Sequence, residues 1–319
     1  MIPEKELPSV TKKQIDSDFL VRGLLHMHFS VREIDKNYDF DISGCSYIGK
    51  PRDHTVLFVT KKVSRLLDEL QGHHHCLVYI EKGINIPDLL KKDNCFVDCE
   101  DPQTAYGLLV LKAAEKEKEI LEKRKYTQMP GGYTLGENVR IGENVKIESG
   151  CLIDHDVVIG NNAAIGFGSV IRNAEIGDGF ICAEGVVIGT EPYFFTGTPR
   201  FRIPAFGKVL IGNNVELRSH VIIERGFNEH TIIHDDVKLD ANVSLGHDDI
   251  LGCGVSITCG ATLGGMITVG DRTYIGMNAT IKQRLSIGED ALVGMGAVVI
   301  SNVKAGTSVF GNPARKFGL

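Results

Sequence analysis

The sequence lacks three features that would each indicate a particular class of protein: a net positive charge, a long apolar run and a regular cysteine pattern. The 319-residue chain has a formal charge of −6, which argues against binding nucleic acid or an acidic membrane through bulk charge. No segment is apolar enough for an export signal or a bilayer span, so we expect a cytoplasmic protein. The eight cysteines are scattered, which is typical of reduced, buried thiols.

One stretch invites a metal-site interpretation. Three histidines and a cysteine form the run 73–76, and Cys95 and Cys99 follow it. Their spacing matches no familiar pattern of zinc ligands, so we expect no metal there. Small molecules and other proteins remain as the partners to consider.

An aliphatic residue recurs every six positions in the C-terminal part of the chain. It runs from Leu135 to Ile171 and again, without exception, from Ile233 to Val299. The side chain four positions after each aliphatic is usually small or β-branched. Two inward positions in six, with Gly and Asn between them, favour short parallel strands joined by tight turns. An α-helix would need a period near 3.6 and would not tolerate so many glycines.

This pattern resembles the hexapeptide-repeat proteins. The resemblance implies a mainly β fold, a left-handed parallel β-helix with eighteen residues in each coil of three strands. We assign this domain to residues 131–319, with a loop insertion near 190–209 where the period breaks. The left hand comes from the resemblance alone, because left-handed crossovers between parallel strands are otherwise rare.

Residues 1–130 have no such period. Apolar strand-like runs alternate with helical ones over residues 1–100, which predicts a small α/β domain. Residues 101–130 are expected to form a connecting helix and linker, with Asp101 as N-cap and Pro102 in the first turn.

A charged triplet, His247-Asp248-Asp249, interrupts the repeat. His247 lies two places after an inward residue, so its side chain is expected outside the prism, within reach of a substrate. Asp248 can accept a hydrogen bond from one ring nitrogen and leave the other as a base. Asp249 occupies the inward position taken by valine or alanine in neighbouring hexads, where a carboxylate must find a partner.

A glycine follows His247 at the distance of one coil. Gly265 is eighteen residues later, so the two residues should lie in adjacent rungs, about 4.8 Å apart along the axis. A glycine N–H beside an imidazole suits a general base that faces an oxyanion donor, although Gly264-Gly265 could simply make a turn.

The segment GHDDILG resembles the active-site histidine motif of hexapeptide acyltransferases. It is similar to E-H-[DE]-C-V-I-G of the sialic-acid and bacillosamine-type sugar N-acetyltransferases and to [GA]-H-N-V-x-I-G of the lipid A N-acyltransferases. The resemblance implies that His247 is the catalytic base, assisted by Asp248, and that the Gly265 N–H binds the thioester carbonyl.

The N-terminal segments DISGCSYIGKPRDHTVLFVTKKV and NCFVDCEDPQTAYGLL resemble the uridine-binding domain of the UDP-3-O-acylglucosamine N-acyltransferases. Of the uracil-contacting side chains in that family only an aromatic, at Phe58, is retained, since Lys61 and Ser64 replace the following Asn and Tyr. The insert PYFFTGTPRFRIPAF resembles that family's protruding loop. Its aromatics and arginines suit stacking of a base or binding of a diphosphate. We therefore expect substrate contacts from Phe58, Tyr193, Arg200 and Arg202, and from Asp249.

The ending VFGNPARK resembles the terminus of coenzyme-A-dependent acetyltransferases. Gly311 would fix a turn, while Arg315 and Lys316 offer charge to a phosphate of the co-substrate. This implies acyl-CoA as donor. The chain ends here, so we do not expect the helical extension by which the lipid A enzyme receives an acyl carrier protein.

These features together predict a homotrimeric, acyl-CoA-dependent N-acyltransferase without a bound cofactor or metal. The expected acceptor is a nucleotide-linked amino-dideoxy sugar, and the two-domain plan resembles the dTDP-4-amino-4,6-dideoxyglucose N-acyltransferases of anthrose biosynthesis. Two enzymatic alternatives stay open: UDP-3-O-acylglucosamine N-acylation in lipid A synthesis, and a γ-carbonic-anhydrase-type metal enzyme. In the latter family two ligands lie five residues apart, whereas His230 and His234 are four apart. A non-catalytic scaffold is the third alternative.

Overall fold

The computed structural model of the chain describes residues 29–227 and 229–316. They form two compact units. One contains residues 124–192 and 207–316, and the other contains residues 29–123 and 193–206. Within the described ranges, no helix is long and apolar enough to cross a bilayer.

The larger unit is a parallel β-helix with three sheets, each of which receives one short strand from every coil. The first sheet contains Thr127–Gln128, Thr134–Leu135, Leu152–Ile153, Val170–Ile171, Val187–Thr190, Ile222–Glu224, Ser244–Leu245, Thr262–Leu263, Thr280–Ile281 and Val298–Val299. The second contains Arg140–Ile141, Val158–Ile159, Ala174–Ile176, Val209–Ile211, Thr231–Ile233, Ile250–Leu251, Thr268–Val269 and Ser286–Ile287. The third contains Lys146–Ile147, Ala164–Ile165, Ile181–Cys182, Glu216–Leu217, Lys238–Leu239, Ser256–Ile257, Tyr274–Ile275, Leu292–Val293, Ser308–Phe310 and Arg315–Lys316.

The predicted six-residue repeat is confirmed by the register of these strands. Residues eighteen apart are paired where the repeat is regular, for example Ile147 with Ile165 and Leu245 with Leu263. From Ile153 to Val299 the repeating aliphatics face the interior, and Leu245 and Leu251 are both 0% exposed. Burying such a side chain stabilises the fold by about 1.5–3 kcal/mol, so the stacked columns supply most of the core.

The turns between strands use residues that tolerate a left-handed backbone. Asn138, Asn144, Asp156 and Asn162 have φ between 56° and 59°, and Gly150 occupies the same place with φ 73°. Asparagine, aspartate and glycine adopt this conformation at the least cost, which explains their recurrence in the hexads.

The smaller unit is built on a four-stranded parallel sheet. Its strands, in spatial order, are Gly44–Cys45, Thr55–Val59, Leu77–Glu81 and Cys95–Cys99. The same unit contains an antiparallel pair, Phe29–Ser30 with Asp41–Ile42, the 3₁₀ helices Val31–Glu33 and Lys61–Leu70, the α-helix Pro102–Leu121 and a hairpin of Phe195–Thr196 with Phe201–Arg202.

Two segments differ from their expected assignment. The helix Pro102–Leu121, expected to connect two domains, packs on the small sheet, where Tyr106 and Val110 are 0% exposed. The loop inserted into the repeat folds with this same unit: the Thr104 and Thr196 hydroxyls lie 3.2 Å apart. A Cβ built on Gly107 would lie 3.1 Å from Ile203 Cδ1, so the glycine admits the loop to the helix surface.

Asp101 caps the helix as expected. Its Oδ1 accepts the Thr104 N–H at 3.0 Å and its Oδ2 accepts the Thr104 hydroxyl at 2.7 Å. These hydrogen bonds hold the pKa of Asp101 below its ordinary value of 3.8. The stabilisation is therefore present above that pH and is lost as the pH falls.

We expect Asp101→Ala to lower the free energy of unfolding at neutral pH by about 1 kcal/mol, because two donors at the helix start lose their acceptor. Urea titration followed by circular dichroism measures the change. Glu100→Ala is the matched control, since the Glu100 carboxylate pairs with Lys82 and both side chains are more than half exposed. Equal effects of the two substitutions would contradict the capping role.

Candidate functional site

His247 lies in the turn between the strands Ser244–Leu245 and Ile250–Leu251. Asp248, the next residue, has φ 58°, so the turn takes the left-handed form used throughout the β-helix. The His247 side chain is 21% exposed and that of Asp248 is 9% exposed. The imidazole is thus partly covered but still reaches solvent.

The imidazole is oriented by the neighbouring carboxylate. His247 Nδ1 lies 2.6 Å from Asp248 Oδ2. The other carboxylate oxygen, Oδ1, accepts the N–H groups of Phe227 at 3.1 Å and of Glu229 at 3.0 Å. Because Asp248 is held on both sides, the ring is fixed and Nε2 stays available to take a proton. Asp248 thus makes the contact with a ring nitrogen that the sequence predicts for it.

Residues 224–231 provide a second layer of support. Glu224 Oε2 accepts the backbone N–H of His247 at 3.1 Å. Thr231 Oγ1 accepts the Asp248 N–H at 3.0 Å and donates to the Glu224 carbonyl at 2.8 Å. The Phe227 ring meets the imidazole edge to face, with centroids 6.1 Å apart.

Sequence reasoning missed these supporting residues. The available signal was the break in the repeat between Ile223 and Ile233, which are ten residues apart instead of six. The extra chain forms a loop one coil before His247 and holds the Asp248 carboxylate. A departure from the period was therefore a pointer to the site.

Gly265 lies against the free side of the imidazole. A Cβ built on Gly265 would be 2.7 Å from His247 Nε2 and 2.8 Å from the His247 carbonyl oxygen. The following residue, Met266, has φ 63°, and its N–H donates to that carbonyl at 2.8 Å. Only a residue without a side chain fits at position 265 while the ring keeps this place.

The backbone N–H of Gly265 has no side-chain acceptor of the kind found in some other turns. The corresponding N–H groups of Asn161, Asn213 and Cys253 each donate to an aspartate Oδ1 of a neighbouring coil, at 2.6–2.9 Å. The Gly265 N–H has no hydrogen-bond partner among residues 29–227 and 229–316. An uncommitted donor thus lies beside an uncommitted ring nitrogen, the arrangement needed to stabilise an oxyanion next to a base.

Asp249, from which a substrate contact is expected, has its carboxylate enclosed in the core. It is 0% exposed, its Oδ1 accepts the Ile267 N–H at 2.8 Å and its Oδ2 accepts the Gly246 N–H at 3.0 Å. The physical reason is its inward position in the hexad, which directs the side chain into the core.

The other predicted substrate-binding residues belong to the smaller unit. Tyr193 is 80% exposed and packs against Phe195, with ring centroids 4.9 Å apart. The Arg202 guanidinium lies over the Phe195 ring, 4.9 Å from its centroid. Arg200, two residues earlier in the sequence, is exposed. The structure therefore brings Tyr193 and Arg202 together on one aromatic ring.

Phe58 belongs to the strand Thr55–Val59. Its ring is half-buried and packs on Tyr106, with centroids 5.2 Å apart. The contact gives Phe58 a role in the core of the smaller unit beside any role in binding.

The predicted co-substrate residues lie at the end of the β-helix. Arg315 and Lys316 form an exposed strand antiparallel to Ser308–Phe310, and Gly311 turns the chain with φ 91°. Both cationic groups face solvent at the edge of the third sheet.

Two histidine side chains of the β-helix are buried. The His155 side chain is 6% exposed, accepts the Glu137 N–H at 2.7 Å and packs on Tyr126. His234 is 7% exposed. His230 Nδ1 accepts the Lys208 N–H at 2.9 Å. Across the described ranges, no three His, Cys, Asp or Glu side chains are grouped so that they could hold a metal ion.

Comparison with known proteins agrees with this architecture. Residues 138–173 match the family model described as bacterial transferase hexapeptide (six repeats). Solved structures of UDP-N-acetylglucosamine acyltransferases from Campylobacter jejuni and Bacteroides fragilis superpose with TM-scores of 0.55 each, at 25% and 26% identity, over 60% of this chain and 74% of theirs. The fold is thus the left-handed parallel β-helix, as predicted.

Curated relatives are similar to part of this sequence. UDP-3-O-acylglucosamine N-acyltransferase 2 of Legionella pneumophila (strain Lens) is 41% identical over 145 residues, 45% of this chain and 42% of that protein. UDP-3-O-acylglucosamine N-acyltransferase of Bordetella pertussis is 30% identical over 114 residues, 34% of this chain and 31% of that protein. The chain spans less than half the length of these relatives.

The buried His234 generates a prediction about pH. Desolvation by burial lowers its pKa from the ordinary 6.5. The unfolded chain then binds a proton at higher pH than the folded chain does, so stability declines as the pH falls below about 6.5.

We expect the thermal midpoint of the wild-type protein to fall between pH 7.5 and pH 5.5, and the fall to be smaller in His234→Gln. Differential scanning fluorimetry at closely spaced pH values measures the slope. His220→Gln, which changes an exposed histidine of the same β-helix, serves as control. Parallel curves for wild type and His234→Gln would show that this histidine is not responsible.

Proposed function

We propose that the protein is an acyl-CoA-dependent N-acyltransferase that acylates the amino group of a nucleotide-linked amino sugar. The observation that carries the proposal is the pairing of an oriented imidazole, His247 with Asp248, with the uncommitted N–H of Gly265. The solved structures of similar fold are acyltransferases by name, and the relatives of partial coverage are N-acyltransferases.

The chemistry follows from the atoms present. The sugar amine attacks the thioester carbonyl carbon, a C–N bond forms and negative charge develops on the carbonyl oxygen. The Gly265 N–H stabilises this oxyanion, which is worth about 10²–10³-fold in rate for one donor. His247 Nε2 accepts the proton that the amine loses, a contribution of about 10²–10⁴-fold. When the C–S bond breaks, the thiolate leaves as coenzyme A and takes a proton.

A weaker role for His247 is the alternative within this mechanism. A neutral amine is already a good nucleophile, so the ring can act by orienting the sugar while the thiolate takes the proton. The two versions differ in the size of the loss on His247→Asn. A decrease in kcat of less than about tenfold favours orientation, and a decrease of about 10² or more favours general-base catalysis.

The choice of substrates rests on surface chemistry. Arg315 and Lys316 are exposed cations beside the Gly311 turn, suited to a phosphate of acyl-CoA. In the smaller unit, the exposed Tyr193 and Arg202 share the Phe195 ring, which suits a nucleotide base or its diphosphate. We therefore propose a dTDP- or UDP-linked 4-amino-4,6-dideoxyhexose as acceptor, used in surface glycan synthesis.

A second candidate acceptor is UDP-3-O-acylglucosamine. It is favoured by the 41% identity to the Legionella pneumophila N-acyltransferase of that name over 145 residues.

We also propose that the protein acts as a homotrimer. Each β-helix buries only its own core, and in a closed ring of three copies each site would be lined by the neighbouring β-helix.

A thiol-release assay separates the candidates. Acetyl-CoA and longer acyl-CoAs are tested against dTDP- and UDP-linked 4-amino-4,6-dideoxy sugars and against UDP-3-O-acylglucosamine, with His247→Asn measured in parallel. We expect turnover with a 4-amino sugar. Turnover only on the acylated glucosamine, or only with an acyl carrier protein as donor, assigns the protein to lipid A synthesis. Absence of turnover in every combination contradicts the proposal.

Gly265 gives a sharper prediction for the site. In Gly265→Ala the new Cβ would lie 2.7 Å from His247 Nε2, so the ring must move away from the oxyanion donor. We expect kcat to fall by about 10², measured by thiol release.

The matched control is Gly296→Asn. A Cβ there meets nothing within 4 Å, and asparagine tolerates its φ of 64°. We expect this control to retain kcat within about twofold. Full activity of Gly265→Ala, with an unchanged melting temperature in both variants, would remove Gly265 from the catalytic site.

A further inference from the structure

Asp249 is the residue that the proposed chemistry leaves unexplained. The inward position it occupies holds Val237, Val243, Val255 and Ala261 in neighbouring hexads, and all of these residues are 0% exposed. Burying a carboxylate in an apolar core costs several kcal/mol unless hydrogen bonds compensate. A valine would fill the same space without that cost.

The carboxylate of Asp249 bridges the two coils that form the site. Oδ2 accepts the N–H of Gly246, the residue before His247, at 3.0 Å. Oδ1 accepts the N–H of Ile267, two residues after Gly265, at 2.8 Å. One side chain therefore joins the segment that carries the base to the segment that carries the oxyanion donor.

The hydrogen bond to Ile267 comes from a side chain of the preceding coil. In some other turns the N–H of the inward residue donates to the carbonyl three residues earlier: Ala261 to Thr258 at 3.4 Å, Ala279 to Gly276 at 3.2 Å and Ala297 to Gly294 at 3.2 Å. Ile267 makes no such bond to Gly264 and donates to Asp249 instead. The turn around Gly265 is thus held by a hydrogen bond to the Asp249 side chain of the preceding coil.

We propose that Asp249 is a positioning residue, which fixes the His247 imidazole relative to the Gly265 N–H by tying Gly246 to Ile267. Its catalytic consequence rests on the proposed acyl transfer, whereas the tie between the coils does not. A misplacement of reacting groups by about 1 Å can cost about 10²-fold in rate, so a carboxylate that holds two coils in register can act strongly without touching a substrate.

The electrostatic setting of Asp249 agrees with this role. Burial raises its pKa well above 3.8, the two backbone N–H bonds oppose that shift, and the nearby Asp248 and Glu224 carboxylates reinforce it. A carboxyl group whose pKa is raised in the folded chain stabilises less as the pH rises through its folded pKa. Asp249 thus lowers stability at high pH, as expected for a side chain retained for the geometry of a site.

The test compares Asp249→Val with Thr273→Val. Thr273 is also inward and 0% exposed, and its hydroxyl donates to the Gly288 carbonyl at 2.8 Å. Both substitutions therefore remove one buried polar group at the same kind of position. For Asp249→Val we expect an unchanged or higher melting temperature, a decrease in kcat of about 10–100-fold and a KM for each substrate within about threefold.

Hydrogen exchange followed by mass spectrometry gives a readout that does not depend on activity. Peptides covering residues 264–268 should exchange faster in Asp249→Val and remain unchanged in Thr273→Val. Asp249→Asn, which keeps one acceptor oxygen, should lose less kcat than Asp249→Val.

Three results would overturn the inference: unchanged exchange at residues 264–268, an equal loss of kcat in Thr273→Val, or a loss of kcat accompanied by a lower melting temperature. If the wild-type protein transfers no acyl group, the proposed function fails. The exchange data then still decide whether Asp249 ties the two coils.

Discussion

Hydrogen bonding between successive coils is the constraint on which the rest of the structure depends. Each coil places its strands in register with those one turn away, as in the pairing of Leu245 with Leu263. Two residues after these aliphatics come His247 and Gly265, so the same register that builds the core also sets the imidazole against the glycine. The relative position of His247 and Gly265 is therefore set by the hydrogen-bonded register of the β-sheet.

Departures from the repeat are concentrated around this site. The loop before Thr231 lengthens one hexad and supplies the N–H groups that hold Asp248. Position 265 has a glycine where a Cβ would lie 2.7 Å from His247 Nε2, and position 249 places a carboxylate in an apolar column. Each departure costs stability or regularity locally, and together they leave one N–H and one ring nitrogen uncommitted. Rules broken in one place mark function more reliably than the rules themselves.

The sequence was sufficient for the β-helix and for the residues spaced by its period. Nearest-neighbour stacking is periodic, so the spacing, together with the eighteen-residue coil that the family resemblance implied, indicated that His247 and Gly265 are adjacent. Contacts made by irregular segments were not predictable in this way. The packing of the 193–206 loop on the helix Pro102–Leu121 depends on the absence of a side chain at Gly107. The hydrogen bonds that hold Asp248 come from backbone N–H groups in a loop. Asp249 was recognised as unusual, but the pattern could not say which donors its carboxylate meets.

The most direct test of the account is a crystal structure with an unreactive acyl-CoA analogue whose thioester is replaced by a ketone. The account predicts that the ketone oxygen lies within hydrogen-bond distance of the Gly265 nitrogen, with its carbonyl carbon facing the side on which His247 Nε2 lies. A carbonyl bound away from Gly265, or on the far side of the imidazole, would contradict the assignment of these two groups as oxyanion donor and base.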